Sequence, residues 1–304
     1  MARLRHRSGA IAVGLVGVTM LAWVGLAAQE QFQFVVLALD AEKHPVTDLK
    51  REEVVMSENG VENQIVKVEP FHMRVKLTIA VDNGILSRNA LGHYRTGLEG
   101  LVKALPAEME VALLSMAPQP RFVVQSTTDR TRLLRGINAF APEEATPRFA
   151  DTIVEFSKRL QDDFNKSKRF DSLPVLLLIS TTAPENVSYQ GQTISAALQF
   201  LTARKIKAYV AMLSTLQEAT AGQQPLIAIP LAQATGGRYE ALATSTRLTT
   251  LLPEFGAEIA ALYQQRYSQV LVTALRQGKG PLQNPRIELT RPSLTGQVSI
   301  DGLP

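Results

Sequence analysis

Four short runs of almost entirely apolar residues limit what this chain can fold into. They lie at residues 75–81, 111–116, 175–179 and 206–213. Such runs are typical of strands that are buried on both faces of a parallel sheet, because a half-exposed strand alternates apolar with polar residues. Segments with helical patterns separate the runs, and strands that alternate with helices predict a parallel sheet covered on both faces. We therefore predict an α/β, Rossmann-like domain over residues 71–265.

Helices are predicted at residues 89–105, 147–164, 193–204 and 245–265. The second predicted helix has an apolar stripe at spacings of three and four residues, which indicates a face packed on a core. The members of this stripe are Phe149, Ile153, Phe156, Leu160 and Phe164. One strand must run against the others, because residues 121–125 follow the second apolar run after the short turn 118–120, and so short a link permits only antiparallel pairing. This strand is predicted to lie at an edge of the sheet.

The regions on either side of this domain have the pattern of short strands. Residues 29–70 are predicted to form a small β subdomain, in which Asn59 and Gly60 mark a hairpin because both tolerate positive φ. Residues 266–304 contain further strand-like segments punctuated by glycine and proline. The sequence leaves open whether these segments pair with residues 29–70.

The amino-terminal segment is typical of an export signal. Three arginines, Arg3, Arg5 and Arg7, precede an uncharged and mostly apolar run over residues 10–28. Small residues near Ala28 favour cleavage there, whereas an uncleaved run of this length would anchor the protein in the inner membrane. Both alternatives place residues 29–304 outside the cytoplasm, in the periplasm or secreted.

Composition excludes two classes of function. The sequence contains no cysteine, so neither disulfides nor thiolate chemistry is available. Without Arg3, Arg5 and Arg7 of the amino-terminal segment, 29 basic residues remain against 28 acidic ones. The basic character of the whole chain therefore does not indicate a nucleic-acid partner. Contact with a membrane is expected only through residues 1–28.

Several segments together resemble the von Willebrand factor type A (vWA) domain, most closely the vWA-related exported proteins of Acidobacteria. The resemblance covers most of residues 34–298 and follows the family's order of segments. It is carried by PVTDLKREEVVMSENGVENQIVKVEPF, VKLTIAVDNG, LAQATGGRYEAL, YQQRYSQVLVTAL and KGPLQNPRIELTRPSL. The resemblance implies a vWA-like sheet with a ligand site at the carboxyl ends of its strands.

In the vWA family this site is a metal-ion-dependent adhesion site for Mg²⁺ or Mn²⁺, cations that prefer oxygen ligands. The resemblance implies Asp82 as the first carboxylate and Thr146 as the loop threonine. It places Gly84 and Leu86 where the family has serines, and Thr181 where it has a second aspartate. Glycine and leucine offer no side-chain oxygen, so we expect a degenerate site that binds its partner without a metal. Asp82 is then expected to accept hydrogen bonds from loop amides or to cap the following helix.

The partner-binding edge is predicted to include residues that carry oxygen in the same loops. These are Asp82, Asn83, Ser87, Thr146, Thr181, Thr182 and Glu185. The preferred function is that of an exported, non-catalytic protein-binding or scaffolding protein whose partner the sequence does not identify. The alternatives are a divalent-metal-dependent adhesin that uses Asp82 and Thr146, and a hydrolase built on the same scaffold.

Enzyme motifs are weak in this sequence. Ser87, His93 and Asp82 can be written as a triad, but the chain has no G-x-S-x-G elbow around Ser87. It also has no H-E-x-x-H pair and no glycine-rich dinucleotide motif after the first strand of the domain. We therefore expect no catalytic residues and no cofactor.

Overall fold

The computed structural model describes residues 30–167, 172–214, 222–276 and 282–299. These residues form two sheets, one six-stranded and one seven-stranded, together with six α-helices. The helices, in chain order, are α1 (Leu91–Ala104), α2 (Arg130–Asn138), α3 (Phe149–Ser167), α4 (Gly191–Ala203), α5 (Gln224–Thr235) and α6 (Leu248–Tyr267).

The six-stranded sheet is the centre of the α/β domain. Its strands are β5 (Arg74–Val81), β6 (Glu110–Ser115), β7 (Arg121–Thr127), β8 (Ser172–Thr181), β9 (Ala208–Leu213) and β10 (Arg238–Leu242). They lie in the order β10-β9-β8-β5-β6-β7, which is the doubly wound arrangement of Rossmann-like folds. All neighbours are parallel except β7, which pairs antiparallel with β6 at the edge. The predicted fold class and the reversed edge strand are both confirmed.

Helices cover both faces of this sheet, as predicted. The buried side chains of α1, α2 and α6 pack on one face, and those of α3, α4 and α5 pack on the other. Two of the helices were not indicated by the sequence pattern. Helix α2 buries only Leu133 and Ile137, which leaves too short a stripe to stand out. In α5, apolar residues are spread around the axis and a proline, Pro230, lies inside the helix.

The seven-stranded sheet is antiparallel and uses both ends of the described chain. Its strands are β1 (Glu30–Leu39), β2 (Pro45–Val46), β3 (Val54–Glu58), β4 (Val61–Phe71), β11 (Gln269–Arg276), β12 (Pro285–Leu289) and β13 (Thr295–Ser299). The main order is β12-β3-β4-β11-β1-β13, and β2 pairs with β1. Asn59 and Gly60 have φ of 51° and 81° and close the β3–β4 hairpin, as predicted. The carboxyl-terminal strands therefore pair directly with those of the amino-terminal region.

The predicted leader or anchor, residues 1–28, lies outside the described ranges. Among the residues that are described, no helix combines the length and the apolar character needed to cross a bilayer.

Candidate functional site

The candidate site lies where the direction of chain winding in the α/β sheet reverses. Strands β5 and β8 are parallel neighbours there, with Val81 paired to Ile179. In open α/β sheets, ligands bind outside the carboxyl ends of the strands at this reversal. Asp82 directly follows β5, and Thr181 is the last residue of β8. The fold thus brings together two residues that are 99 positions apart in sequence.

The Asp82 carboxylate is buried, with 1% of the residue exposed, and both of its oxygens accept hydrogen bonds. Oδ1 accepts the backbone N–H of Gly84 at 2.8 Å. Oδ2 accepts the Thr181 hydroxyl at 2.7 Å and the Thr181 backbone N–H at 3.2 Å. The expected bonding to loop amides is therefore present, and Thr181 adds a side-chain donor.

Burial raises the pKa of the Asp82 carboxyl above its usual range, while the hydrogen bonds from Thr181 and Gly84 act in the opposite direction. The desolvation of this carboxylate is not offset by a cationic side chain, because every cause that lowers its pKa is a hydrogen bond from a neutral group. Hydrogen bonding to neutral donors is thus what holds the carboxylate inside the fold.

Gly84 lies directly beneath the loop that contains Thr146. A Cβ atom at Gly84 would come within 2.8 Å of the Ala145 carbonyl oxygen and 2.9 Å of Pro147 Cδ. The Ile85 backbone N–H donates to the same Ala145 carbonyl at 3.1 Å. A side chain at position 84 would therefore require this loop to move, so the glycine fits the close approach of the two loops.

Thr146 is half-buried, and its hydroxyl has no hydrogen-bond partner among the described residues. A buried hydroxyl without a partner costs free energy, so a further hydrogen-bonding group at this loop would satisfy the Thr146 hydroxyl. Thr146 lies between Ala145 and Pro147, which closely approach Gly84. Its role as the loop threonine of a metal site stays a prediction.

Asn83 and Ser87 are buried and hold loops together. The Asn83 side chain accepts the Ala117 N–H at 3.0 Å and donates to the Ala141 carbonyl at 3.2 Å. The Ser87 hydroxyl donates to the Gly84 carbonyl at 2.8 Å. The His93 ring is bonded instead to the Ser245 hydroxyl, at 2.9 Å from Nδ1. Ser87 and His93 therefore do not form the hydrogen bond that a catalytic triad requires.

Glu185 caps the start of α3. Its carboxylate accepts the backbone N–H of Ala150 at 2.9 Å. Burial raises the pKa of Glu185 to about 7, the hydrogen bonds from the first turn of α3 lower it, and the charges of Asp151 and Asp82 raise it further. Thr182, in the same loop, is half-buried and donates its backbone N–H to the Leu213 carbonyl.

A network centred on Asp151 and Arg148 was not identified from the sequence. The Asp151 carboxylate accepts the Ser188 backbone N–H at 2.9 Å and binds the Arg148 guanidinium at 3.1 Å. Arg148 also donates to the Pro118 carbonyl at 2.7 Å, so it links the loops after β6, before α3 and after β8. Asp151 lies in the first turn of α3, where the helix dipole favours an acidic residue. Its loop contacts depend on residues 37 positions away.

The exposed side chains of this edge differ from the predicted set. Asp82, Asn83, Ser87 and Thr181 are all buried, whereas Leu86 and Val187 are 46% and 47% exposed. The loops of Leu86 and Val187 flank the 145–147 loop, because Ile85 N–H donates to Ala145 and Asn186 N–H donates to Pro147. Arg88 and Glu144 form an exposed ion pair beside them. The sequence does contain a signal for this exposed surface, because Leu86 is an apolar residue inside a polar loop.

The donor set does not fit a divalent cation. Mg²⁺ requires six oxygen ligands at about 2.1 Å, with carboxylate charge to replace its water. Among the positions that the resemblance implies as ligands, Asp82 supplies the single carboxylate, and its oxygens already accept hydrogen bonds from Gly84 and Thr181. Gly84 and Leu86 supply no side-chain oxygen. In the described part of the chain, the one grouping of three acidic or histidine side chains with metal-binding spacing is Asp40, Glu42 and His44, which lie in the exposed β1–β2 turn.

The doubly wound sheet with a reversed edge strand defines an α/β protein with a Rossmann-like fold, and vWA domains are among the solved structures with a similar fold. A von Willebrand factor type A protein from Catenulispora acidiphila aligns over 77% of this chain and 51% of its own, with 10% identity and a TM-score of 0.47. BatB from Bacteroides thetaiotaomicron aligns over 62% of this chain and 99% of its own, with 12% identity and a TM-score of 0.46. An aerotolerance-related membrane protein from Bacteroides fragilis aligns over 60% and 99%, with 11% identity and a TM-score of 0.43.

This chain spans about half of the Catenulispora structure. At identities of 10–12% these likenesses concern the fold alone. The vWA resemblance that the sequence predicted is confirmed at that level. No protein-family model and no curated protein sequence matches the chain.

Proposed function

We propose that this protein is an exported, non-catalytic binding or scaffolding protein that recognises a partner protein without a divalent metal. The recognition surface is the exposed part of the loops at the carboxyl edge of the α/β sheet. Export is supported by the basic head and apolar run of residues 1–28.

One observation carries this proposal. The carboxylate that would ligate a metal is buried, and the Thr181 hydroxyl and N–H already donate to one of its oxygens. Recognition in which a partner's carboxylate completes the coordination of a bound cation therefore does not fit this site. Recognition instead has to use the surface of the loops, where Leu86 and Val187 expose apolar area beside the charged pair of Arg88 and Glu144. Apolar contacts with a polar rim are typical of protein interfaces.

The hydrogen bonds between the loops of this edge support a role in binding. Arg148, Asp151, Asn83 and Glu185 connect the loops to one another and to the start of α3. A surface that is already ordered loses less conformational entropy when a partner binds. The hydrogen-bonded loops are thus suited to present Leu86 and Val187 in a fixed arrangement.

Thermal unfolding of the purified protein with EDTA, Mg²⁺ or Mn²⁺ tests metal independence. We expect the three melting temperatures to agree, because a ligand stabilises a fold only when it binds the folded state. A rise of several degrees with either cation that disappears in Asp82→Ala would contradict the proposal. That result would instead support a metal-dependent adhesin, the alternative that the unpartnered Thr146 hydroxyl favours.

The surface itself is tested by cross-linking in the native envelope. We expect partner cross-links to be lost in a Leu86→Asp, Val187→Asp variant and retained in Val61→Asp, which changes an exposed valine on the seven-stranded sheet. Equal cross-linking by both variants would place recognition elsewhere. Fractionation of the same cells tests export, and recovery of the protein in the cytoplasm would contradict it.

A further inference from the structure

A second candidate site lies at the opposite edge of the α/β sheet from Asp82. A cleft of about 610 Å³ opens at the amino ends of β8 and β9, where α4, α5 and α6 end. Leu173 and Tyr209 contribute apolar walls, and Gln297 of β13 lies at the side of the seven-stranded sheet. Four basic residues line the cleft: Arg204, Lys205, Lys207 and Arg266.

Arg266 is the unusual member of this group. Only 6% of the residue is exposed, and its Nε has no hydrogen-bond partner among the described residues. In the described part of the chain no carboxylate contributes to the pKa of this side chain, and Glu258, the carboxylate that lines the same cleft, pairs with Arg238. Burial alone lowers the pKa of Arg266 to about 10, so the guanidinium is charged at neutral pH. A buried charge without a partner is costly, since its lost hydration is not replaced.

Lys207 adds a second positive charge to the same cleft. Its Nζ donates to the Gly236 carbonyl at 2.8 Å, which occupies one of the three donors of an ammonium group. Burial lowers the pKa of Lys207 and the nearby charge of Arg266 lowers it further, whereas Glu258 raises it. The Glu258 carboxylate also lines the cleft, but it accepts a hydrogen bond from Arg238 at 2.7 Å. Positive charge therefore exceeds negative charge here.

The helix ends explain only part of this arrangement. Cations near a helix carboxyl terminus are stabilised by the helix dipole, and this accounts for an exposed residue such as Lys205. Arg266 lies in the last turn of α6, yet its Nε does not bond any of the final carbonyls. A guanidinium with unused donors in a cleft is suited to a carboxylate or a phosphate, which accept two parallel hydrogen bonds.

We propose that this cleft binds a small anion bearing a phosphate or carboxylate group, held by Arg266 and Lys207. The site is separate from the loops that contain Leu86 and Val187, so it is independent of the function proposed above. Inorganic phosphate and malonate serve as probes of the two anion classes, with chloride at equal ionic strength as the reference.

Thermal unfolding and calorimetric titration measure the response. We expect phosphate, malonate or both to raise the melting temperature of the wild-type protein by a few degrees, and Arg266→Met to abolish the rise. Arg132→Met, which removes an exposed cation of α2, should retain it. If Arg266→Met does not fold, Lys207→Met makes the same comparison. A response to phosphate alone assigns a phosphoryl ligand, and a response to malonate alone assigns a carboxylate ligand.

Two results would overturn the proposal. One is a wild-type protein whose melting temperature is the same in phosphate, malonate and chloride. The other is a rise of equal size in wild type and Arg266→Met, which would mean that the anions act elsewhere on the surface.

Discussion

Thr181 supplies two of the three hydrogen bonds that the buried Asp82 carboxylate accepts. We expect Thr181→Val to lower the free energy of unfolding by about 1–3 kcal/mol, because it leaves a buried carboxylate oxygen without its hydroxyl donor while conserving side-chain volume. Chemical denaturation measures this loss. Thr181→Ser keeps the hydroxyl and is the matched control, expected to remain closer to wild type. A loss in Thr181→Val that is no larger than the loss in Thr181→Ser would contradict a dominant role of the hydroxyl hydrogen bond.

Glu185 should give the protein a pH-dependent stability. Its pKa is raised from 4.5 to about 7 in the folded state, so the folded protein binds the proton more tightly than the unfolded chain does. The stabilisation is complete below the unfolded pKa and is lost as the pH rises through about 7. Glu185→Gln retains an acceptor for the Ala150 N–H, and we expect it to flatten the decline in melting temperature over this interval.

The exposed Glu144 provides the comparison for that experiment. Glu144→Gln should leave the pH profile of the melting temperature as it is in wild type. A profile that is unchanged in Glu185→Gln would show that another group titrates over this interval.

The sequence shows which residues of this edge lack a side-chain oxygen, but not the hydrogen bonds that Asp82 and Glu185 accept. Gly84 and Leu86 carry no side-chain oxygen, and this is readable from the sequence. The bond from Thr181 to Asp82 joins positions 99 apart, and the bond from Ala150 to Glu185 joins positions 35 apart. Both depend on the register of β5 against β8 and on where α3 begins, which a single sequence does not specify.

Among the helices, α1 and α6 pack closely through glycines. A Cβ at Gly97 of α1 would come within 2.5 Å of the Leu248 carbonyl oxygen, whereas a Cβ at Gly92 meets nothing within 4 Å. We expect Gly97→Ala to destabilise the protein by about 1–3 kcal/mol, because the helices would have to separate. Gly92→Ala should be neutral or stabilising by about 0.5 kcal/mol, since alanine restricts the unfolded chain.

Equilibrium unfolding of both variants in denaturant makes this comparison. Both substitutions add a methyl group to α1, Gly92 in its first turn and Gly97 in its interior. Alanine is favoured over glycine most in a helix interior, so propensity alone would stabilise Gly97→Ala, and a loss there reports the α1–α6 contact. Stabilisation by Gly97→Ala would contradict the close packing.

Elements that are buried on both faces were the ones that sequence patterns predicted best. The strands β5, β6, β8 and β9 are near-continuous apolar runs, and the short turn before β7 fixed its antiparallel direction. Helix α5 was not predicted; it ends at Gly236, which adopts a φ of 69°. Its apolar residues have no single face, so the helical period that revealed α3 is absent from its sequence.

On the scale of the whole molecule, the two sheets have separate cores. Phe34 belongs to the cluster between strands of the seven-stranded sheet, and Phe149 belongs to the cluster under α3, α4 and α5. The chain connects the sheets directly at two places, from β4 into β5 and from α6 into β11. Because the cores are separate, we expect each sheet to unfold locally with its own free energy of unfolding.

Phe34→Ala tests this separation, since the side chain is fully buried and its loss should cost about 3–5 kcal/mol. We expect faster amide hydrogen exchange in β1, β4 and β11, because all three depend on that core, while β5 and β8 keep their protection. Phe149→Ala should reverse the pattern. Faster exchange throughout both sheets in either variant would show instead that the two sheets unfold as one cooperative unit, coupled through the connection from α6 into β11.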